Sequence, residues 1–181
     1  MHLRARDESG FGMVELLMAM VMLNVGILAV VASFSSGTTA LARASRTSTA
    51  AALAERQMEI YRGTKYANIV FITAEWNSAI ADSSYTADTV YQTNMASPVA
   101  PKALVATQTT CPTNVPASGC DASYAVTGPD QRSYRVDTYL YYDTPSGGNQ
   151  VKTVTVVVRD SANTTRSYAR IQSVFDFTTS G

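Results

Sequence analysis

Between Glu15 and Arg43 the chain carries no charged residue. Within that gap, Leu16 to Phe34 is Leu, Met, Ala, Val, Ile and Phe, broken only by Asn24, Gly26 and Ser33. A helix rises about 1.5 Å per residue, so this run nearly crosses the roughly 30 Å hydrocarbon core of a bilayer. The plain reading is a membrane anchor. Glu15 at its entrance is the unexpected residue, because a carboxylate at the edge of an apolar helix is costly unless it finds a partner.

The order of segments matters as much as their composition. Residues 1–10 are polar, with Arg4 and Arg6 followed by Asp7 and Glu8. A secretory signal peptide places its apolar region before the cleavage site and ends in small residues such as A-x-A. Here a polar leader and a glycine precede the apolar run, so cleavage would leave the apolar helix on the mature chain. Charge does not fix orientation, since Arg4 and Arg6 flank one side of the run and Arg43 and Arg46 the other.

Gly10-Phe11-x-x-x-Glu15 followed by a long apolar helix resembles the class III signal of type IV pilins and pseudopilins. Leu23-Asn24-Val25-Gly26-Ile27-Leu28-Ala29 is similar to the Leu-x-Ile-Gly-Leu-Leu segment of PilV-like minor pilins. The motif covers roughly residues 10–34, and the remainder agrees in architecture only. The resemblance implies cleavage by a prepilin peptidase between Gly10 and Phe11 and N-methylation of the new Phe11 terminus. It also implies that Glu15, now fifth in the chain, pairs with the Phe11 amine of a neighbouring subunit. Physical chemistry agrees with that role. A new α-amine is cationic near neutral pH, and two opposite charges in a low-dielectric core attract strongly. The macrodipole also favours an anion in a helix's first turns.

Two departures accompany the motif. Gly12 stands where Thr is usual, with Met13-Val14 in place of Leu-Ile, and no proline occurs before Pro98. Ala32 occupies the position where many major pilins carry a helix-kinking proline. Gly26 is then the soft point of the span, at about 1 kcal/mol relative to Ala, suited to close helix packing or to local unwinding. Asn24 is a mid-span polar group able to hydrogen-bond to another helix or to its own backbone.

The helix is expected to continue through residues 35–63. Leu41, Ala44, Ser48, Ala51, Met58 and Tyr61 form its covered face, and Gly63 stops it with Arg62 at the negative end of the dipole. Residues 64–130 read as an irregular αβ-loop with a helical turn near Ala74 to Ala81 and a short strand at Tyr124 to Thr127. From residue 131 a period of two appears: Tyr134 to Tyr142, then Val151 to Arg159, then Tyr168 to Phe177. Val154, Val156 and Val158 share one face, and Ala169, Ile171, Phe175 and Phe177 form the inward face of the last strand. The predicted fold class is therefore α+β. A long N-terminal helix has an apolar half that protrudes (11–34) and an amphipathic half (35–63) packed on an antiparallel sheet of three to four strands, a pilin-like layout.

Composition narrows the functions. Of 181 residues, 14 are basic and 14 acidic, so the formal net charge is zero, which argues against a nucleic-acid partner. Cys111 and Cys120 flank a segment containing Pro112, Pro116 and Gly119. A disulfide in an oxidising compartment is favoured over two free thiols, and a metal site comes last for want of ligands. The only histidine, His2, lies in the leader, so no Ser-His-Asp or Cys-His site can be assembled from the mature chain. No P-loop or dinucleotide fingerprint is present. Asp143, Asp160 and Asn163 are loop oxygens that suit either calcium or ordinary turns, without EF-hand spacing. Asn163-Thr164-Thr165 fits a glycosylation acceptor, and the tyrosines of Tyr134 to Tyr142 fit either a sticky patch or plain strand propensity.

The sequence thus reads as a non-enzymatic structural subunit of a type IV pilus, of the minor class, without cofactor or metal. Its expected partners are other pilin subunits, the prepilin peptidase and inner-membrane lipid. The precursor is expected in the inner membrane with a cytoplasmic N-terminus, and the mature subunit in the cell-surface pilus. The alternatives are a type II secretion pseudopilin and a membrane-anchored binding domain that never polymerises.

Overall fold

The structure, a computed structural model, describes residues 12–96, 102–107, 109–145 and 148–177. The expected leader and the Gly10-Phe11 processing site lie outside these residues. The chain divides into two compact units, Met1–Ala44 and Ser45–Gly181.

Helix α1, Met13–Arg62, is a single element of 50 residues. In the first unit every described residue is exposed. The hydroxyls of Thr38 and Thr39 donate to the Ser35 carbonyl at 3.0 and 2.9 Å. Two of the polar groups that follow the apolar run are thereby satisfied within the helix itself.

In the second unit, α1 buries Ala50, Leu53, Ala54, Gln57, Met58 and Tyr61, a three-and-four spacing that faces the sheet. Only Met58 and Tyr61 coincide with the expected face. Leu41 is 72% exposed, and Ala44, Ser48 and Ala51 face water. The alanines at 50, 51, 52 and 54 offer several faces of nearly equal hydrophobicity, so the tertiary partner chooses among them. The helix stops where glycine and threonine close it: Gly63 N–H donates to the Glu59 carbonyl at 2.9 Å, and the Thr64 hydroxyl to that of Ile60 at 2.6 Å.

The connection that follows is more ordered than its composition suggests. Strand β1, Phe71–Ile72, pairs in parallel with β2, Val105–Ala106, and α2, Thr73–Ile80, and α3, Ser83–Thr86, lie between them in sequence. Asp82 caps α3 by accepting from the Ser84 backbone N–H at 2.8 Å. The main sheet is four-stranded and antiparallel in sequential order: β3 Ser123–Thr127, β4 Ser133–Asp143, β5 Val151–Asp160 and β6 Ser167–Phe175.

Register assigns the two faces. Val136, Val158 and Ala169 align across β4, β5 and β6, as do Thr138, Val156 and Ile171. This face belongs with α1 in one hydrophobic cluster. The opposite face is also covered, which the sequence reading did not anticipate. Tyr85 of α3 stacks on Tyr139 of β4 with ring centroids 4.5 Å apart, and Trp76 of α2 packs between Phe71 and Tyr91. Strand β5 is accordingly buried from Lys152 to Arg159. Tyr134, Tyr139 and Tyr141 of β4 are buried core residues and not a surface patch, and Tyr142 is half-buried against the same core. In β6 the inward face fades toward its end: Phe175 is buried, but Phe177 is 76% exposed.

Two glycines set how closely loops approach α1. A Cβ on Gly128 would lie 2.8 Å from both Thr49 Cγ2 and Tyr134 Cε2, and one on Gly119 would lie 3.0 Å from Ile60 Cγ2. Gly119 sits inside the loop closed by the Cys111–Cys120 disulfide, whose Cα atoms are 5.9 Å apart. Gly128→Ala is expected to lower unfolding free energy by about 1–3 kcal/mol through overpacking, measured by denaturant titration. The Cys111→Ser, Cys120→Ser double variant is expected to lose about 2.5 kcal/mol in the same assay, the loop-closure value for so short a ring.

Candidate functional site

The first candidate is the apolar segment of α1 with its single carboxylate. By length and composition α1 is long and apolar enough to cross a membrane. Glu15 lies in its first turn, exposed, with its backbone N–H donating to the Gly12 carbonyl at 2.9 Å. Among the described residues Glu15 has no ion-pair partner, so the macrodipole is the favourable field it meets there. Asn24 and Gly26 lie mid-helix and exposed, and a Cβ on Gly26 would meet nothing within 4 Å. Packing among the described residues therefore gives no reason for the glycine. The helix is regular through Gly26.

The second unit holds its polar chemistry inside. Gln57 of α1 is fully buried and completely used: its amide donates to the Ser118 carbonyl at 2.7 Å and accepts from the Tyr124 hydroxyl at 3.0 Å. Lys152 is also buried. Its Nζ donates to the Tyr66 and Ile69 carbonyls at 2.6 and 3.1 Å, and burial lowers its pKa to about 8.

Across the loop-covered face of the sheet runs an alternating chain of charges. Asp82 pairs with Arg135, whose Nε is 2.7 Å from Asp137 Oδ1. Arg159 Nε is 2.8 Å from Asp137 Oδ2, and its Nη2 pairs with Asp88. Asp88 is held in turn by Arg170 at 2.7 Å. Asp137 has no exposure, and Arg159 and Asp88 are 6% exposed. The Ser84 hydroxyl and backbone N–H, with Arg135, outweigh the effect of burial and hold Asp82 down at about 2. Burial alone would raise Asp88, but hydrogen bonds from Arg170 and the Val90 N–H leave it lowered.

Every charge in this constellation faces an opposite charge, so it orders the loop over the sheet. The loop oxygens considered for calcium or for ordinary turns make turn hydrogen bonds. Asp160 Oδ1 accepts from the Ala162 N–H, Asn163 Oδ1 from the Thr165 hydroxyl, and Asp143 Oδ1 from the Thr144 N–H. Among the described residues no group of three or more His, Cys, Asp or Glu side chains could hold a metal ion.

The paired charges are hidden in the sequence because Arg135, Asp137 and Arg170 alternate with apolar residues as outward positions do. The available signal was β5: its Thr153, Thr155 and Val157 positions are small or apolar like their neighbours, the mark of a strand covered on both sides. Compared with models of protein families, with curated proteins and with solved structures, the chain matches none.

Asp137→Asn leaves the buried Arg159 and the half-buried Arg135 without a full counter-charge, and unfolding free energy is expected to fall by about 3–5 kcal/mol. Asp82 and Asp88 have folded pKa values below the ordinary 3.8. Their contribution is present above pH 3.8 and is lost as pH falls toward about 2, since the unfolded state then binds more protons. Thermal midpoints measured from pH 5 to pH 2 should fall through that window, and less steeply in Asp82→Asn.

Proposed function

We propose that this protein is a structural subunit of a type IV pilus, of the minor class, held in the inner membrane as a precursor and packed by its N-terminal helix in the filament. The observation that carries the reading is the unbroken helix Met13–Arg62, whose only charge before Arg43 is Glu15, five residues after Gly10. An α+β unit follows, with α1 lying on a four-stranded antiparallel sheet, a layout consistent with pilins.

On this reading the exposed apolar side chains of residues 16–34 are the assembly surface. Burying a Leu, Val or Met side chain contributes roughly 1.5–3 kcal/mol, so helix-to-helix packing in a filament core supplies the driving force. Direction comes from charge: cleavage between Gly10 and Phe11 creates a cationic amine, and Glu15 of one subunit meets that amine on the next. N-methylation of Phe11 keeps this cation. The protein acts as a building block and not as an enzyme.

Intact-mass measurement of the protein purified from its native membrane is expected to give a chain starting at a methylated Phe11. A chain retaining residues 1–10 would instead mark a plain anchor and overturn the reading. Glu15→Ala is expected to be cleaved normally yet to fall about tenfold or more in sheared filaments, as loss of one partner of a low-dielectric pair predicts. Equal incorporation of the variant and the parent would count decisively against the Glu15 pairing.

A further inference from the structure

An open cleft of about 350 Å³ lies on the second unit, lined by Arg46 of α1, Arg132 to Tyr134 at the start of β4, Asp160 to Ala162 after β5, and Tyr168 of β6. We propose that this cleft binds a small ligand carrying a single carboxylate or phosphate group, with Arg46 as the anchoring cation.

The argument begins with the hydrogen-bond inventory of the cleft. Arginine brings five donors and a permanent charge. Arg46 spends one donor, at 3.4 Å, on the neutral Tyr168 hydroxyl, and its buried Nε–H has no acceptor. It forms no ion pair among the described residues, in contrast to Arg135, Arg159 and Arg170. The neighbouring anion is already committed. Asp160 accepts the Tyr168 hydroxyl proton at 2.7 Å and the Ala162 N–H at 2.9 Å. The Tyr134 hydroxyl proton goes to Asp130 at 2.6 Å. Both phenols therefore present oxygen lone pairs and ring faces, but no free proton, to the cleft.

Charge points the same way. Arg46 and Arg132 line the cleft against Asp160; just outside it Arg166 stacks 5.2 Å from the Tyr168 ring centroid and Asp130 lies 3.9 Å from Arg132. One cation is in excess, which suits a monoanion. Asp160 attracts Arg46 only through space; an oxyanion beside Arg46 would give the guanidinium a charged acceptor in direct contact, and fork-to-oxyanion pairing is among the stronger hydrogen-bonded arrangements. The cleft volume falls at the small end of ligand sites, and its tyrosine walls suit a ligand with a ring or short apolar body. The site needs no residue from 12–44.

The test uses the full chain in an uncharged detergent, titrated separately with sodium acetate and with sodium phosphate at constant ionic strength maintained by sodium chloride. Proton–nitrogen NMR spectra should show a saturable shift with at least one of the two anions, at the Arg46 Nε–Hε signal and the Ser133, Ser161 and Ala162 amides. A response to acetate alone assigns a carboxylate ligand, and a response to phosphate alone assigns a phosphate such as a lipid headgroup. In Arg46→Lys, which keeps the charge and loses the fork, half-saturation should need roughly tenfold more anion. No saturable shift with either anion overturns the proposal, as does an undiminished response in a folded Arg46→Lys variant. Should that variant misfold, the parent titration decides the question alone.

Discussion

Asp137 sits in a central strand with no exposure to water, and two arginines are what make that position tolerable. A carboxylate isolated there would cost several kcal/mol of lost solvation. Arg135 and Arg159 stand opposite each other across β4 and β5, a like-charge pair that would itself be unfavourable without the carboxylate between them. The chain then extends outward to Asp82 on one side and to Asp88 and Arg170 on the other. Three anions and three cations cancel, so the covered face carries no net charge. Asp82 caps α3 and Asp88 accepts from the Val90 N–H, so the same carboxylates that bind the sheet also shape the loop lying over it. Apolar burial is non-directional. The hydrogen-bonded ions give this loop one position on the sheet.

The opposite face solves the same covering problem by size instead of charge. Val154, Val156 and Val158 form a flat β-branched row, and α1 brings Ala50 and Ala54 against the sheet. Small side chains on the helix and Gly128 and Gly119 in the loops let backbones come close. Gln57 is the polar exception, and its carbonyl-bound amide ties the helix to Ser118 inside the disulfide ring. The disulfide loop is therefore secured to α1 by a hydrogen bond and a close glycine contact, in addition to its own closure.

These arrangements explain what the sequence disclosed and what it concealed. The strands of the last fifty residues were legible because period-two alternation and turn residues act locally. The helix end was legible because Gly63 acts locally too. The covered face of α1 was not, since alanine on several faces leaves the choice to the sheet. The helical turn expected near Ala74 to Ala81 is α2, but α3 was hidden in Ser- and Thr-rich composition, and the segment from Asp82 to Asp88 is ordered by distant ions, Arg135 and Arg159. The same contrast holds for sites. Glu15 stands out because its isolation is a property of adjacent sequence. The cleft at Arg46 draws on segments near residues 46, 132, 160 and 168, which only folding brings together.

The apolar segment presents a different constraint, because nothing among residues 12–44 is buried. Its side chains are apolar all round and not on one stripe, so a single flat partner could cover only part of them. An environment that surrounds the helix is required, either lipid or several other helices. Gly26 adds a discriminating detail, since among the described residues no side chain occupies the space its missing Cβ leaves. Lipid tails gain little from a glycine, whereas another helix backbone can approach closely over one. Glu15 sharpens the same distinction: in lipid it need only reach the interface, but among helices it needs a cation. On the proposed reading both features have a use that lipid alone does not give them: Gly26 lets a neighbouring helix come close, and Glu15 meets the cation that such a neighbour supplies.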